Sequence, residues 1–276
     1  MVYLHALSAI HSGTGQSAGV IDLPIAREKA TGWPVIPATS VKGVVKDALT
    51  GEQSDDWIAK AFGRVDDSGA LCFGDQRILC LPVRSFFGTF AYVTCSLALR
   101  RLARDSKALG LASPETGQGI PAVGEGQVLV APSSMLAHEG KVYLEDLDLA
   151  ARVDDAAGTI AKELGELLGL DDFAARFAIA PDDVFDFLSE TATEVAARVR
   201  LEEATKTVSS GGLWYEEAVP AEAIFAGPLL LSDSAARAGG ESMLAVLDGE
   251  RLLQIGGKAS VGRGLCRMIV TRGRAR

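Results

Sequence analysis

Four cysteines, three histidines and few aromatics make this a chain poor in the residues that build metal cages, disulfide frameworks and haem pockets. Cys72, Cys80, Cys95 and Cys266 form no C-x-x-C pair and have no histidine at ligand spacing, so they read as scattered reduced thiols and argue against a zinc site. No apolar run is long enough to span a bilayer, and the N-terminus has no basic stretch followed by an apolar block, so the expected location is cytoplasmic, with no membrane partner. Catalytic fingerprints are missing too. Gly256-Gly257-Lys258 is not a P-loop, because the glycine needed five positions before the Gly-Lys pair is Leu252. Gly13-Thr14-Gly15 lacks the third dinucleotide-binding glycine at Ala18, and no G-x-S-x-G, H-E-x-x-H or EF-hand loop occurs.

What is present is an ordinary globular chain of 276 residues, 48% hydrophobic and 23% charged, with no internal repeat and no low-complexity linker. Its net charge of -9 argues on average against a polyanionic partner. The average conceals polarity. Residues 145–203 carry sixteen acidic and five basic side chains, whereas 251–276 carry seven basic and no acidic ones. One face can therefore be basic while an acidic region points elsewhere, although a solvated acidic helical surface beside a basic tail has the same statistics.

Period-two patterning in VYLHALSAIHSG predicts a strand entering a Gly-rich loop, His11 to Gly19. Thr39 or Ser40 is expected to cap a helix whose Val41, Val44 and Val45 share a face, with Lys42 and Lys46 exposed. Strands are expected over 71–95, broken by Pro82 and Gly88, then a helix capped by Ser96, then a long loop over 111–141. VYLEDLDLAARV begins another strand, and 157–200 read as two or three acidic helices. Ser209-Ser210-Gly211-Gly212 predicts the turn of a hairpin, and the end of the chain reads as strand, Gly-rich loop, strand. The two Gly-rich loops, one with His11 and Asp22 nearby and the other with Lys258 and Arg263, suit close backbone approach and phosphate contact. Tight strand turns would use the same glycines.

Six blocks, IHSGTG, GVIDLPIARE, TGWPVIPATSVKG, GDQRILCLPVRSFFGTFAYVT, GGLWYEEAVP and IGGKASVGRG, stand in one order across nearly the whole chain, most loosely matched from about 105 to 200. Together they resemble the type III-B backbone subunit of CRISPR effectors, a branch of the RNA-binding RAMP superfamily. The type III-A backbone subunit is the nearest confusable family, and DLPI-R-E and PV-RS-G-FA-VT favour type III-B.

The resemblance implies an α+β fold. It implies a single RAMP domain over 1–276, with an RNA-recognition or ferredoxin-like palm at roughly 1–105 and 220–276, helical insertions at roughly 106–200, and a protruding β-hairpin thumb at roughly 203–219. It implies an endoribonuclease active inside a guide-RNA complex, with guide CRISPR RNA, target single-stranded RNA, further copies of itself in a filament and other type III-B subunits as partners. Each thumb would splay a target nucleotide, and the neighbouring 2′-hydroxyl would attack the phosphate with a divalent metal, Mg2+ or Mn2+. Asp22 matches the catalytic and metal-binding aspartate. His11 and Glu216 match further active-site positions, with Tyr215 and Glu217 close enough to be confused with Glu216. Ser40, Lys42, Lys46, Arg84 and the loop residues Gly256, Gly257, Lys258, Gly262, Arg263 and Gly264 are carried over as guide-strand contacts. A non-catalytic guide-RNA scaffold is the alternative.

Overall fold

Residues 2–6 are buried on both faces, so the first strand needs packing over both faces of its sheet, and it has strand neighbours on both edges as well. The computed structural model describes residues 1–15, 19–112, 119–232, 235 and 240–272. Parts of the first Gly-rich loop, of the 111–141 segment and of the basic C-terminal tail lie outside the described residues. In chain order the strands are β1 (Val2–Ala6), β2 (Val35–Ile36), β3 (Gly63–Arg64), β4 (Asp67–Ser68), β5 (Leu71–Phe73), β6 (Gln76–Arg84), β7 (Phe90–Cys95), β8 (Gln127–Val130), β9 (Lys141–Leu144) and β10 (Leu147–Val153). They continue with β11 (Phe177–Ala180), β12 (Glu194–Leu201), β13 (Val208–Ala218), β14 (Ile224–Gly227), β15 (Leu229–Leu231), β16 (Gly249–Gln254) and β17 (Leu265–Val270). The helices are α1 (Ala38–Leu49), α2 (Asp55–Phe62), α3 (Ser96–Ala108), α4 (Asp155–Leu168), α5 (Phe173–Arg176), α6 (Asp182–Thr191) and α7 (Glu241–Ala245).

The expected α+β class is what the chain adopts. One large mixed sheet runs β16-β17-β1-β14-β6-β7-β11-β8-β10-β9, with β2 on β6. Within it β6, β14, β1 and β17 are antiparallel neighbours, and in chain order they are the second, third, first and fourth strands of a βαββαβ ferredoxin-like unit. The chain from 85 to 223 leaves that unit between its second and third strands and builds the far half of the sheet and the hairpin. That far half curls until its last strand returns to β6. Leu144 bridges Ser85, Glu145 N–H donates to Arg84 O at 2.9 Å, and Phe86 N–H donates to Tyr143 O at 3.3 Å.

Local sequence explains most elements and corrects several expectations. Helix α1 buries Val41, Val45 and Leu49 along one stripe as expected. Its N-cap is Pro37 rather than Thr39 or Ser40: Asp75 Oδ1 takes the Ala38 N–H at 2.8 Å, and Ser40 lies inside the first turn. Cys95, not Ser96, caps α3, and Asp182 accepts the Leu97 N–H at 2.9 Å. The expected loop over 111–141 contains β8, and the stretch read as acidic helices contains the fully buried β11. A run of four apolar residues has no periodicity by which strand and helix can be told apart. The hairpin exists, but its strands are β12 and β13, so the chain reverses at 202–207 and Ser209 to Gly212 lie within β13. Gly211, at φ 68°, takes up the register irregularity opposite Val199 to Leu201.

All four cysteines are free thiols. Burial pushes those of Cys80, Cys95 and Cys266 well above the ordinary thiol range.

Candidate functional site

The C-terminal end of β13 gathers three segments remote in sequence, and backbone bonds hold them there. Ile10 bridges Val219, His11 bridges Gly257, Gly13 bridges Ile25, and Leu23 bridges Glu216 in parallel. The first Gly-rich loop, the IDLPI segment and the second Gly-rich loop thus meet at the foot of the hairpin. Glycine is required at 256, where φ is 85° and a Cβ would run into the carbonyl oxygen of His11.

Within this junction the two adjacent glutamates do different things. Glu217 is 3% exposed and holds the junction together: its carboxylate accepts from Arg27 Nη2 at 2.5 Å, Thr193 Oγ1 at 3.0 Å and the Ile25 N–H at 3.1 Å. Glu216, also 3% exposed, faces the other way. Its Oε2 lies 3.5 Å from Lys258 Nζ and 3.9 Å from Arg198 Nε, while Oε1 has no hydrogen-bond partner. Trp214, two residues earlier on the same face, lies under the Lys258 ammonium at 5.9 Å and buries an unpaired indole N–H.

His11 and Asp22 complete the junction. His11 Nδ1 lies 2.7 Å from the Glu217 carbonyl oxygen, which can only accept, so Nδ1 carries a proton and Nε2 is the ring nitrogen left to exchange one. A side chain at Gly13 would cover that nitrogen, its Cβ falling 2.6 Å from Nε2. Asp22 is exposed, with Oδ2 accepting the Tyr215 N–H at 2.7 Å and Oδ1 unpartnered among the described residues. No group of three His, Cys, Asp or Glu side chains among the described residues could hold a metal ion.

The RAMP superfamily model matches residues 3–267. The chain belongs to the RAMP superfamily. Within it, the chain is 35% identical to the CRISPR system Cmr endoribonuclease Cmr4 of Pyrococcus furiosus over 283 residues, covering 97% of this chain and 94% of that protein. It is 23% identical to the CRISPR system CMR subunit Cmr4 of Saccharolobus solfataricus, covering 95% and 93%. Oligomeric Cmr4 from Pyrococcus furiosus superposes with a TM-score of 0.78 at 30% identity, covering 97% of this chain and 96% of that one. A chain of the type III-B Cmr-beta complex bound to cognate target RNA has the same fold, with a TM-score of 0.76 at 21% identity.

In this RAMP protein, then, His11, Asp22, Glu216, Gly256, Gly257 and Lys258 converge. Arg263 borders them through a 2.7 Å ion pair to Glu194 at the start of β12, and the positive-φ residues Gly262 and Gly264 shape the same loop. Four others stand apart. Ser40, Lys42 and Lys46 sit on α1, where neither lysine makes an ion pair among the described residues, and Arg84 ends β6 with Glu145 at 3.3 Å. A cavity of about 540 Å³ lined by Met1, Leu109, Leu229 and Arg272 contains none of the candidate residues. Sequence reasoning missed Arg198, Trp214 and Arg27. Two of these had a readable signal: Trp214 and Glu216 alternate along one strand, and Arg198 is the cross-strand partner of Trp214 once the hairpin register is known.

No helix among the described residues is long and apolar enough to cross a membrane.

Proposed function

We propose that this chain is a cytoplasmic backbone subunit of a type III-B CRISPR effector, one that binds guide RNA with further copies of itself and the other effector subunits and cuts complementary target RNA at regular intervals. The observation that supports the reading most is the convergence of an exposed carboxylate, Asp22, and a histidine, His11, at the foot of the two-stranded hairpin β12–β13. The 35% identity to a Cmr endoribonuclease over almost the full chain supports it.

RNA brings its own nucleophile, so the protein's task is positional and electrostatic. The 2′-hydroxyl oxygen forms a bond to the adjacent phosphorus, the bond from phosphorus to the 5′-oxygen breaks, and the products are a 2′,3′-cyclic phosphate and a 5′-hydroxyl. One proton leaves the 2′-oxygen and one reaches the 5′-oxygen. His11 Nε2 is suited to accept the first, its tautomer fixed by the Glu217 carbonyl. Asp22 holds the strand register through the Tyr215 N–H and leaves Oδ1 toward solvent. A lone carboxylate fits Mg2+ or Mn2+ whose other ligands are phosphate oxygens and water, and a metal bound there would supply positive charge to the reacting phosphate. The hairpin β12–β13 is the element that would splay the target, and Lys42 and Lys46 on α1, which make no ion pair among the described residues, are with Ser40, Arg84 and the loop residues Gly256, Gly257, Gly262, Arg263 and Gly264 the proposed guide-strand surface.

The scaffold reading has one observation in its favour: the Asp22 carboxylate already serves the backbone at Tyr215. Cleavage of a labelled complementary RNA by the reconstituted guide complex, wild type beside Asp22→Ala, separates the two. Loss of evenly spaced cuts with target binding intact supports the nuclease. Equal cutting by both, or by neither, makes Asp22 structural and the subunit a scaffold.

A further inference from the structure

Lys258 lies in the loop carried over as a guide-strand contact, yet its ammonium turns toward the hairpin. The residue is left-handed at φ 68°, a conformation non-glycine residues seldom adopt, and this bend lets a side chain from the Gly-rich loop reach β13. There it lies 3.5 Å from Glu216 Oε2 and over the Trp214 ring. Its neighbour Gly257 donates its N–H to His11 O at 2.9 Å, so the backbone of this loop is tied to the strand segment that carries the histidine. The side chain is 36% exposed, whereas Glu216 is 3% exposed. RNA can reach the lysine and not, without displacement, the carboxylate.

From these contacts we propose that Lys258 is a catalytic cation at the scissile phosphate of the target strand, and that Glu216 and Trp214 are positioning residues that act through it. The inference rests on the nuclease reading above. As the 2′-oxygen bonds to phosphorus, negative charge accumulates on the non-bridging oxygens, and a cation already fixed in place meets it with no reorganisation. A carboxylate at one side and an indole face beneath restrict a four-carbon side chain that would otherwise sweep the loop surface. Buried behind the lysine, Glu216 does not itself contact the reacting atoms. Its unpaired Oε1 and the unpaired Trp214 N–H are the polar remainder of an arrangement built around the ammonium.

The test uses the assembled guide complex and single-turnover cleavage of a complementary RNA, with guide content and target affinity measured on the same preparations. Lys258→Asn removes the charge and keeps a residue type that tolerates the left-handed backbone, and Lys258→Arg restores the charge. Expected are unchanged guide content and target affinity, a cleavage rate lower by roughly 10²–10³-fold in Lys258→Asn, and substantial recovery in Lys258→Arg. Glu216→Gln should slow cleavage on its own but add nothing in the Lys258→Asn background, because it acts through the residue already removed. Loss of guide RNA from Lys258→Asn would overturn the proposal and return the lysine to the guide strand. Multiplying losses in the double variant would overturn it as well, since Glu216 would then act on RNA directly. If wild type cuts and Lys258→Asn cuts equally, this inference fails alone; if wild type does not cut, the nuclease reading fails with it.

Discussion

Glu216 and Glu217 are adjacent, equally buried and opposite in consequence, which makes their separate replacement a sharp test of the geometry. Glu217→Ala removes the acceptor for the Ile25 N–H, for Thr193 and for Arg27. Deleting one member of a buried ion pair costs about 3–5 kcal/mol. The lower end applies here, because Arg27 is 25% exposed and keeps bonds to the carbonyls of Gly32 and Ser189. At about 2–4 °C per kcal/mol for a chain of this size, the midpoint of thermal unfolding should fall by roughly 6–12 °C. Glu216→Ala should do far less. Its partners, Lys258 and Arg198, are 36% and 39% exposed and return to water, so the expected change is within about 1 kcal/mol while cleavage slows. The assay is thermal or urea unfolding of the purified chain beside cleavage by the assembled complex. A Glu217→Ala midpoint within about 2 °C of wild type, or an equal fall in Glu216→Ala, would refute the assignment of one residue to the scaffold and the other to the site.

Gly256→Ala forces a Cβ against the His11 carbonyl oxygen at a positive φ, and Gly264→Ala does the same against Ile255 O; each should cost about 1–3 kcal/mol, read by urea midpoint. The carboxyl of Glu222 is held below the ordinary range chiefly by its 2.8 Å hydrogen bond to His5, with Tyr92 adding another. A depressed carboxyl stabilises fully above its unfolded pKa of about 4.3 and loses that contribution as pH falls through the folded value, so Glu222→Gln should flatten the acid limb of a stability profile. Replacing Lys42 and Lys46 with Ala should weaken guide binding and lower the salt slope by about 0.7 for each phosphate that is no longer neutralised. An unchanged slope would take α1 out of the RNA surface.

The parts of this protein legible in its sequence are those where a local rule and the global fold agree. The apolar stripe of α1 and the glycines of the second loop are examples: Val41, Val45 and Leu49 could face only a core, and Gly256 and Gly264 sit where a side chain has no room. The turn at 202–207 was hidden because it carries no glycine or proline, while Ser209 to Gly212 carries the turn residues but uses them for a bulge. β8 and β11 were hidden for a different reason: each is four residues long and is made a strand by its neighbours. Of the site, Asp22, His11 and Glu216 were visible only through the six-block resemblance. Which of Glu216 and Glu217 faces the lysine depends on the register of β13 against the IDLPI segment, and a shift of one residue would exchange their roles.

The return of β9 to β6 has a bearing on how copies of this chain can add to one another. Unpaired strand edges are the usual route to uncontrolled sheet extension, and a linear assembly of identical units is unusually exposed to it. Here one end of the sheet closes on its own middle through Ser85 and Leu144, while the other ends at β16. An open edge at one end with no matching edge at the other cannot propagate a ladder from copy to copy. If copies stack along a guide RNA as proposed, their spacing is left to side chains and to the RNA, and the stack would end where the guide ends.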